Sequence, residues 1–331
     1  MPSKATCLIT SSQIEPVFKI VDAVRCVENA FRLYGEGKVQ MPPKVYLTFE
    51  TGDLRAMPVY LPTLGIAGLK SVTVHPQNRE LPTVMATILL VDPQSGFPLA
   101  MMDGTYLTDL RTGAAGAVAA KYLARADSAV AGFVATGRQA QTQLDGLMVT
   151  MPGIRKVLAY DLNRDRAQSF CDRCEKTYGR EARPVDSVEE VVRQSDIIVT
   201  TTPARGPVVQ SAWVRPGAHI NAIGADAKGK QELDPAILKR ARVVVDNWEQ
   251  ASHSGEINVP VSQGLIRRGD LVGDIGDLVT GRKKGRVTPQ DITVFDSTGL
   301  AVQDITCAFE VYQTLTGNEK ARQGLRTIGF F

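Results

Sequence analysis

Apolar positions fall into two different rhythms along the chain. In "IEPVFKIVDAVRCVENAFRLYGEGK" they recur at Ile20, Val24, Val27 and Phe31, one side of a helix, and Gly35 and Gly37 mark its end. The period then drops to two. In "KVYLTFETGDLRAMPVYL", Val45, Leu47 and Phe49 alternate with Lys44, Tyr46 and Thr48, and Thr51-Gly52 fits a two-residue hairpin turn. With that turn Phe49 faces Leu54, Thr48 faces Arg55, and Lys44 and Arg55 share the polar face of the hairpin. Two more strands are expected at "GIAGLKSVTV" and "TVMATILLVD", the second ending in the turn Asp92-Pro93-Gln94-Ser95-Gly96. No helical crossover interrupts them up to about residue 103, so the sheet is expected to be antiparallel.

From "LRTGAAGAVAAKYLARA" onward helix and strand alternate. "SAVAGFVA", "KVLAYD", "DIIVTTT", "AHINAIG", "RVVVDN" and "ITVFDS" read as strands, with helical segments between most of them. That is the grammar of a doubly wound parallel sheet. After Ser297, "AVQDITCAFEVYQTLTG" is again helical, and its simplest destination is the first domain. The expected fold is therefore α/β: a doubly wound domain over 116–299, plus a second α+β domain with a mainly antiparallel sheet over 1–115, completed by a C-terminal helix in 300–331.

Composition narrows the function classes. The 331 residues suit two domains, and 44% hydrophobic with 22% charged residues is ordinary globular usage. The net charge of +3 and the absence of any basic run longer than Arg282-Lys283-Lys284 argue against a nucleic-acid partner. No apolar stretch is long enough to span a bilayer and the N-terminus lacks a signal-peptide layout, so a cytoplasmic protein without membrane partners is expected. Five cysteines without framework spacing fit a reducing compartment. Cys171 and Cys174 in "FCDRC" stand on a helical segment with no second pair or histidine nearby. They read as a plain helix face, and no metal site is expected.

The candidate chemistry begins at "AGFVATGRQAQTQLDGL". A strand enters this turn and a helix leaves it, as in a dinucleotide-binding G-x-G-x-x-G/A turn, but Ala135 stands at the first glycine position. The helix-start amides that hold a pyrophosphate do not depend on that glycine. Gly137 keeps the position where phosphate approaches the main chain, and Arg138 adds a positive charge. Asp161 ends the next strand, where a carboxylate receives the adenine ribose and favours NAD; Arg164 and Arg166 behind it leave NADP open. Lys70, in an otherwise apolar strand, is either a surface lysine or a desolvated acid/base. Asp226 follows the "AHINAIG" strand at the edge where such sheets bind ligands, and can equally be a helix cap. His75 follows the Lys70 strand, whereas His219 and His253 have no evident partner.

"QMPPKVYLTFETGDLRAMPVYL", "AGLKSVTVHPQN", "LPTVMATILLVDPQSGFPLAMMDGTYLTDLRTGAAGAVAAKYLAR", "INAIGADAKGKQELD" and "FDSTGLAVQD" together resemble the ornithine cyclodeaminase/μ-crystallin family, and within it the archaeal-type alanine dehydrogenases. The resemblance spans nearly the whole chain. It implies a homodimer in which a Rossmann domain binds NAD, and the split second domain supplies substrate groups and dimer contacts. It implies Lys70 as acid/base and Asp226 as the carboxylate beside the nicotinamide. Cofactor contacts implied are Arg111, Gly137, Arg138, Gln139, Asp161, Leu162, Asn163, Ala225, Lys230 and Ser297. Lys44 and Arg55 form an expected clamp on a substrate carboxylate; a cation at Arg55, where cyclodeaminases resemble one another in a glutamate, repels a second ammonium and favours a small amino acid. The implied reaction is reversible, NAD-linked oxidative deamination of L-alanine to pyruvate and ammonia. The alternatives are a ketimine or pyrroline-2-carboxylate reductase, an ornithine cyclodeaminase, and a non-catalytic NAD(P)H-binding protein.

Overall fold

The structure, a computed structural model, describes residues 5–330. The chain divides into two compact units, one made of the chain up to Arg111 together with Leu300 onward, the other of Thr112–Gly299.

The first unit is a seven-stranded sheet. Its strands are β1 (Thr6–Ile9), β2 (Val45–Thr48), β3 (Asp53–Leu61), β4 (Ile66–Val74), β5 (Val84–Val91), β6 (Pro98–Asp103) and a last strand Arg326–Ile328. From β2 to β6 the sheet is an antiparallel meander, while β1 lies parallel to β6 and antiparallel to the last strand. Side chains alternate across it as the period of two requires. Met57, Val59, Leu61, Ile66, Val72, Ile88 and Leu90 are buried on one face, which is packed by the return helix Ala301–Gly317, itself laid against α1 (Ile20–Gly35). Gly68 permits this approach, because a Cβ there would stand 2.6 Å from Ile305 Cδ1.

The first hairpin differs from expectation. Its turn centres on Glu50-Thr51, one residue early, with Phe49 N–H donating to Gly52 O at 2.8 Å. Arg55 consequently faces Tyr46, and Leu54 faces Leu47. Gly52 is not the turn's second residue but the place where β3 comes close to β4: a Cβ on it would lie 2.4 Å from Val74 O. Arg55 also belongs to the covered row with Met57 and Val59 rather than to an outward polar face, while Val45 and Leu47 are 56% and 54% exposed.

The second unit is built on eight parallel strands: β7 (Val130–Val134), β8 (Lys156–Tyr160), β9 (Glu181–Pro184), β10 (Ile197–Thr200), β12 (His219–Ala222), β14 (Arg242–Val245), β15 (Gly273–Asp274) and β16 (Thr293–Asp296). A separate parallel pair is formed by β11 (Arg205–Val209) and β13 (Gln231–Leu233). In the order β15-β14-β16-β12-β10-β7-β8-β9 the chain winds from β7 through β8 and β9 on one side and through β10 and β12 on the other, the doubly wound arrangement, with β16 inserted between β12 and β14. All residues of β10, β12 and β16 are buried; β10 is almost wholly apolar, whereas β12 and β16 also carry His219, Asn221 and Thr293, which hydrogen-bond one another in the interior. β9, "EARP", has no such run and gave no signal.

Two buried clusters fill the two faces of this sheet. On one lies α3 (Arg138–Thr150) with α4 (Arg164–Tyr178), contributing Leu144, Leu147, Phe170, Cys171 and Cys174. Burial pushes the two thiols up to about 12 and 11, so these cysteines are core residues. The helix α2 (Thr105–Leu123) crosses α3 through glycines. A Cβ on Gly113 would fall 2.2 Å from Thr142 O, and one on Gly146 would fall 2.6 Å from Gly113 O. Close by, buried His219 bonds both Thr293 Oγ1 and Asn221 Oδ1, at 3.0 and 2.9 Å, and burial drives its pKa down to about 3. No helix among the described residues is long and apolar enough to cross a membrane.

Candidate functional site

Each unit carries one cluster of the expected residues. In the first, β4 places Lys70 on the covered face between Gly68 and Val72, 1% exposed. Two opposite influences act on it. Burial and the neighbouring Arg111 and Lys44 cations disfavour its charge, Asp304 favours it, and the balance brings the amine down to about 7. Asp304, fully buried on the return helix, pairs with Lys70 Nζ at 2.8 Å through Oδ2 and accepts from Arg111 Nε at 2.9 Å through Oδ1. The sequence reading overlooked Asp304, although a single acid inside the apolar helix "AVQDITCAF" is a usable signal. Arg111, expected at the cofactor, is thus held by the same carboxylate as Lys70.

Arg55 is 7% exposed and bound along its side by Asp53, with Nε and Nη2 donating to the two carboxylate oxygens at 2.8 and 3.1 Å. The Tyr46 ring lies 5.6 Å from its guanidinium. His75 stacks on Phe49, with ring centroids 6.1 Å apart.

In the second unit the Gly-bearing turn has the expected strand-turn-helix context. Ala135 takes φ +73°, the only left-handed non-glycine residue among those described. It therefore adopts the conformation a glycine would supply, at a cost of about 1–2 kcal/mol. Ala135→Gly is expected to raise stability by about 1 kcal/mol, read as a higher urea midpoint; a lower midpoint would refute the strain. Gly137 caps α3 in extended conformation, and a Cβ there would meet nothing within 4 Å. The space beside it is a cavity of about 560 Å³ lined by Thr136, Gly137, Arg138, Gln141, Asn163 and Arg166, among others. Gln139 lies in the first turn of α3.

Asp161 is braced rather than idle. Oδ2 accepts from Thr136 N–H and Oγ–H at 2.9 and 3.0 Å, and Oδ1 accepts from Asn163 N–H at 2.9 Å. These bonds outweigh its partial burial and hold the carboxyl below its usual range. Leu162 is 94% exposed, and Asn163 caps α4 through Asp165 and Arg166 N–H.

Beyond β12, Ala225 is buried and Asp226 pairs with Lys230 at 2.5 Å. Asp226 lies in a loop with no helix after it, so it caps nothing. That loop is anchored by buried Glu232, which accepts from Gly224 N–H at 2.8 Å, Thr202 N–H at 2.6 Å and Thr200 Oγ at 2.7 Å. The "FDSTG" loop is fixed in the same way, with Asp246 accepting from Thr298 and Gly299 N–H, both at 2.6 Å. Ser297 Oγ is left buried without a hydrogen-bond partner. Sequence reading missed both bracing carboxylates, since nothing local separates them from surface acids. Among the described residues no group of His, Cys, Asp and Glu is arranged to hold a metal.

The ornithine cyclodeaminase/mu-crystallin family model matches residues 4–319. The chain is 53% identical to the alanine dehydrogenase of Archaeoglobus fulgidus over 310 residues, 93% of this chain and 94% of the relative. An archaeal alanine dehydrogenase dimer with bound NAD superposes with a TM-score of 0.94 at 51% identity, covering 99% of this chain and 100% of the other. The Thermococcus litoralis Delta(1)-pyrroline-2-carboxylate reductase, in complex with NADH and L-proline, follows with a TM-score of 0.91 at 37% identity, covering 94% and 98%. With a buried lysine in an antiparallel sheet, a glycine-bearing turn in a parallel one and a match along almost its whole length, the chain belongs to the ornithine cyclodeaminase/mu-crystallin family.

Proposed function

We propose that the protein is an NAD-dependent alanine dehydrogenase that interconverts L-alanine with pyruvate and ammonia. The observation that carries this reading is the buried Lys70, an amine poised near neutrality on the covered face of the sheet, in a chain so similar to the Archaeoglobus enzyme. The second unit suits the cofactor. Open space at Gly137, the arginines around the adjoining cavity and the unpartnered Ser297 hydroxyl match a ligand rich in phosphate and hydroxyl oxygens. When bound, NAD supplies the hydride acceptor.

Arg138 and the amides that follow Gly137 hold phosphate, and Asp161, kept ionised by Thr136 and Asn163, receives ribose hydroxyls. Gln139, Leu162, Asn163, Ala225, Lys230 and Ser297 are the further cofactor contacts of this reading, and Arg111 is counted with them. Lys44 and Arg55 bind the substrate carboxylate, and Asp53 sets the direction in which Arg55 points. An alanine that has given up one N–H proton to solvent and its Cα hydride is an iminium. Neutral Lys70 takes a proton from the water that adds to it and returns that proton to the nitrogen; ammonia then leaves as the carbinol O–H proton passes to solvent, giving pyruvate. Asp226, steadied by Lys230, is the second carboxylate of this chemistry.

The active form is a homodimer, with the second copy on the open face of the antiparallel sheet. There Pro58, Leu69, Leu89 and Met101 form a cross-strand row, and Met101 is 46% exposed. The protein works in the cytoplasm.

Purified protein with L-alanine and NAD is expected to produce NADH and pyruvate in equal amounts. Reduction of pyrroline-2-carboxylate without any oxidation of alanine would overturn this reading in favour of the reductase. Product from ornithine without net NADH would favour a cyclodeaminase.

A further inference from the structure

The buried centre of the first unit contains more than the acid/base reading of Lys70 requires. Two cations converge on one carboxylate: Asp304 receives Lys70 at Oδ2 and Arg111 at Oδ1, and the exposures of the three side chains are 1%, 9% and 0% for lysine, arginine and aspartate. Each comes from a different element, β4, α2 and the return helix. The site is built for this meeting, because Gly68, two residues before Lys70 on the same face, lets Ile305 and hence its neighbour Asp304 close on the sheet. Arg111 is permanently charged. Without an anion beside it, a buried lysine next to that arginine has every reason to stay neutral.

We propose that Asp304 is the positioning residue of this centre: anchored by Arg111, its carboxylate fixes Lys70 Nζ and carries the negative charge against which Lys70 gains and loses its proton. The charged groups acting on Lys70 are Arg111 and Lys44, which oppose its protonation, and Asp304, which supports it. Cys307, one helical turn beyond Asp304, is kept a neutral thiol by burial and adds no charge. A lysine that must alternate between ammonium and amine within one turnover needs both influences. Burial and Arg111 make the amine accessible, and Asp304 makes the ammonium accessible.

This inference rests on the reading of Lys70 as the acid/base, yet the first arm of its test, a titration, does not need turnover. Full-length protein is labelled with ¹³C at lysine Cε, the Lys70 resonance is assigned by its loss in Lys70→Met, and its titration is followed in the parent, Asp304→Asn and Asp304→Glu. In Asp304→Asn the Lys70 midpoint is expected to fall by about 1–3 pH units, the range an opposite charge at this distance commands. Asp304→Glu keeps the charge but moves it by one methylene, so the midpoint is expected to stay close to the parent value while kcat drops severalfold. An unmoved midpoint in Asp304→Asn overturns the proposal. If that variant does not fold, a parental kcat in Asp304→Glu overturns it instead, and a reduced kcat at an unmoved midpoint supports it. Movement of the midpoint in a protein that fails to oxidise alanine leaves Asp304 assigned and removes the alanine reading alone.

Discussion

Replacing Lys70 with methionine is expected to lower kcat/KM for L-alanine by about 10²–10⁴, the usual contribution of a positioned acid/base. The methionine fills similar volume without the desolvation cost of a buried amine, and Asp304 retains Arg111 as its partner, so the variant is expected to fold. Cofactor binding is a control, since most of its expected contacts lie in the second unit, and NAD affinity is expected to change little. The pH dependence of the parent carries the same assignment. In the oxidative direction the neutral amine is the reactive form, and its pKa is about 7. Activity is therefore expected to rise with pH through about 7 and then level off, and Lys70→Met is expected to lose that limb. A variant with parental turnover, or a limb that persists without the lysine, would return Lys70 to a structural role.

The largest expected stability effect belongs to a helix crossing in the second unit. Gly113→Ala puts a methyl group 2.2 Å from the backbone carbonyl of Thr142, where α2 crosses α3. A main-chain oxygen cannot swing aside as a side chain would, so the helices must separate. Overpacking typically costs about 1–3 kcal/mol, and this position is expected to reach or exceed the upper end. The urea midpoint should fall accordingly. Gly137→Ala, at the start of the same α3, is the contrast. Its methyl meets open space, so the midpoint is expected to hold while NAD binds more weakly, because the space filled is that of the phosphate. A parental midpoint for Gly113→Ala would show that the crossing relaxes freely.

Ala135 makes a similar distinction on a smaller scale. At the first position of the turn, alanine takes the left-handed conformation that favours glycine and bears the strain. What the substitution alters is the energy of the turn, while the amides at the start of α3 remain directed at the same space.

The rhythm of apolar residues determined much of this protein by itself. Runs rich in apolar residues marked β7, β8, β10, β12, β14 and β16, because a strand covered on both faces is mostly apolar. The alternation from Lys44 to Asp103 marked the antiparallel meander, and the strand, turn and helix around Gly137 marked a place for phosphate. Only the tertiary structure decided which face of the meander is covered. A period of two says that Arg55, Met57 and Val59 share a side; the arrival of the return helix makes that side the interior, which buries Arg55 and Lys70 and leaves Val45 and Leu47 outside. Likewise Gly52 read as a turn residue until β4 was seen to need its missing side chain. Asp304 became significant only when folding brought it 2.8 Å from Lys70. Local sequence records the preferences of each segment, but the charge balance of a buried group depends on its neighbours in space, and those come from distant parts of the chain.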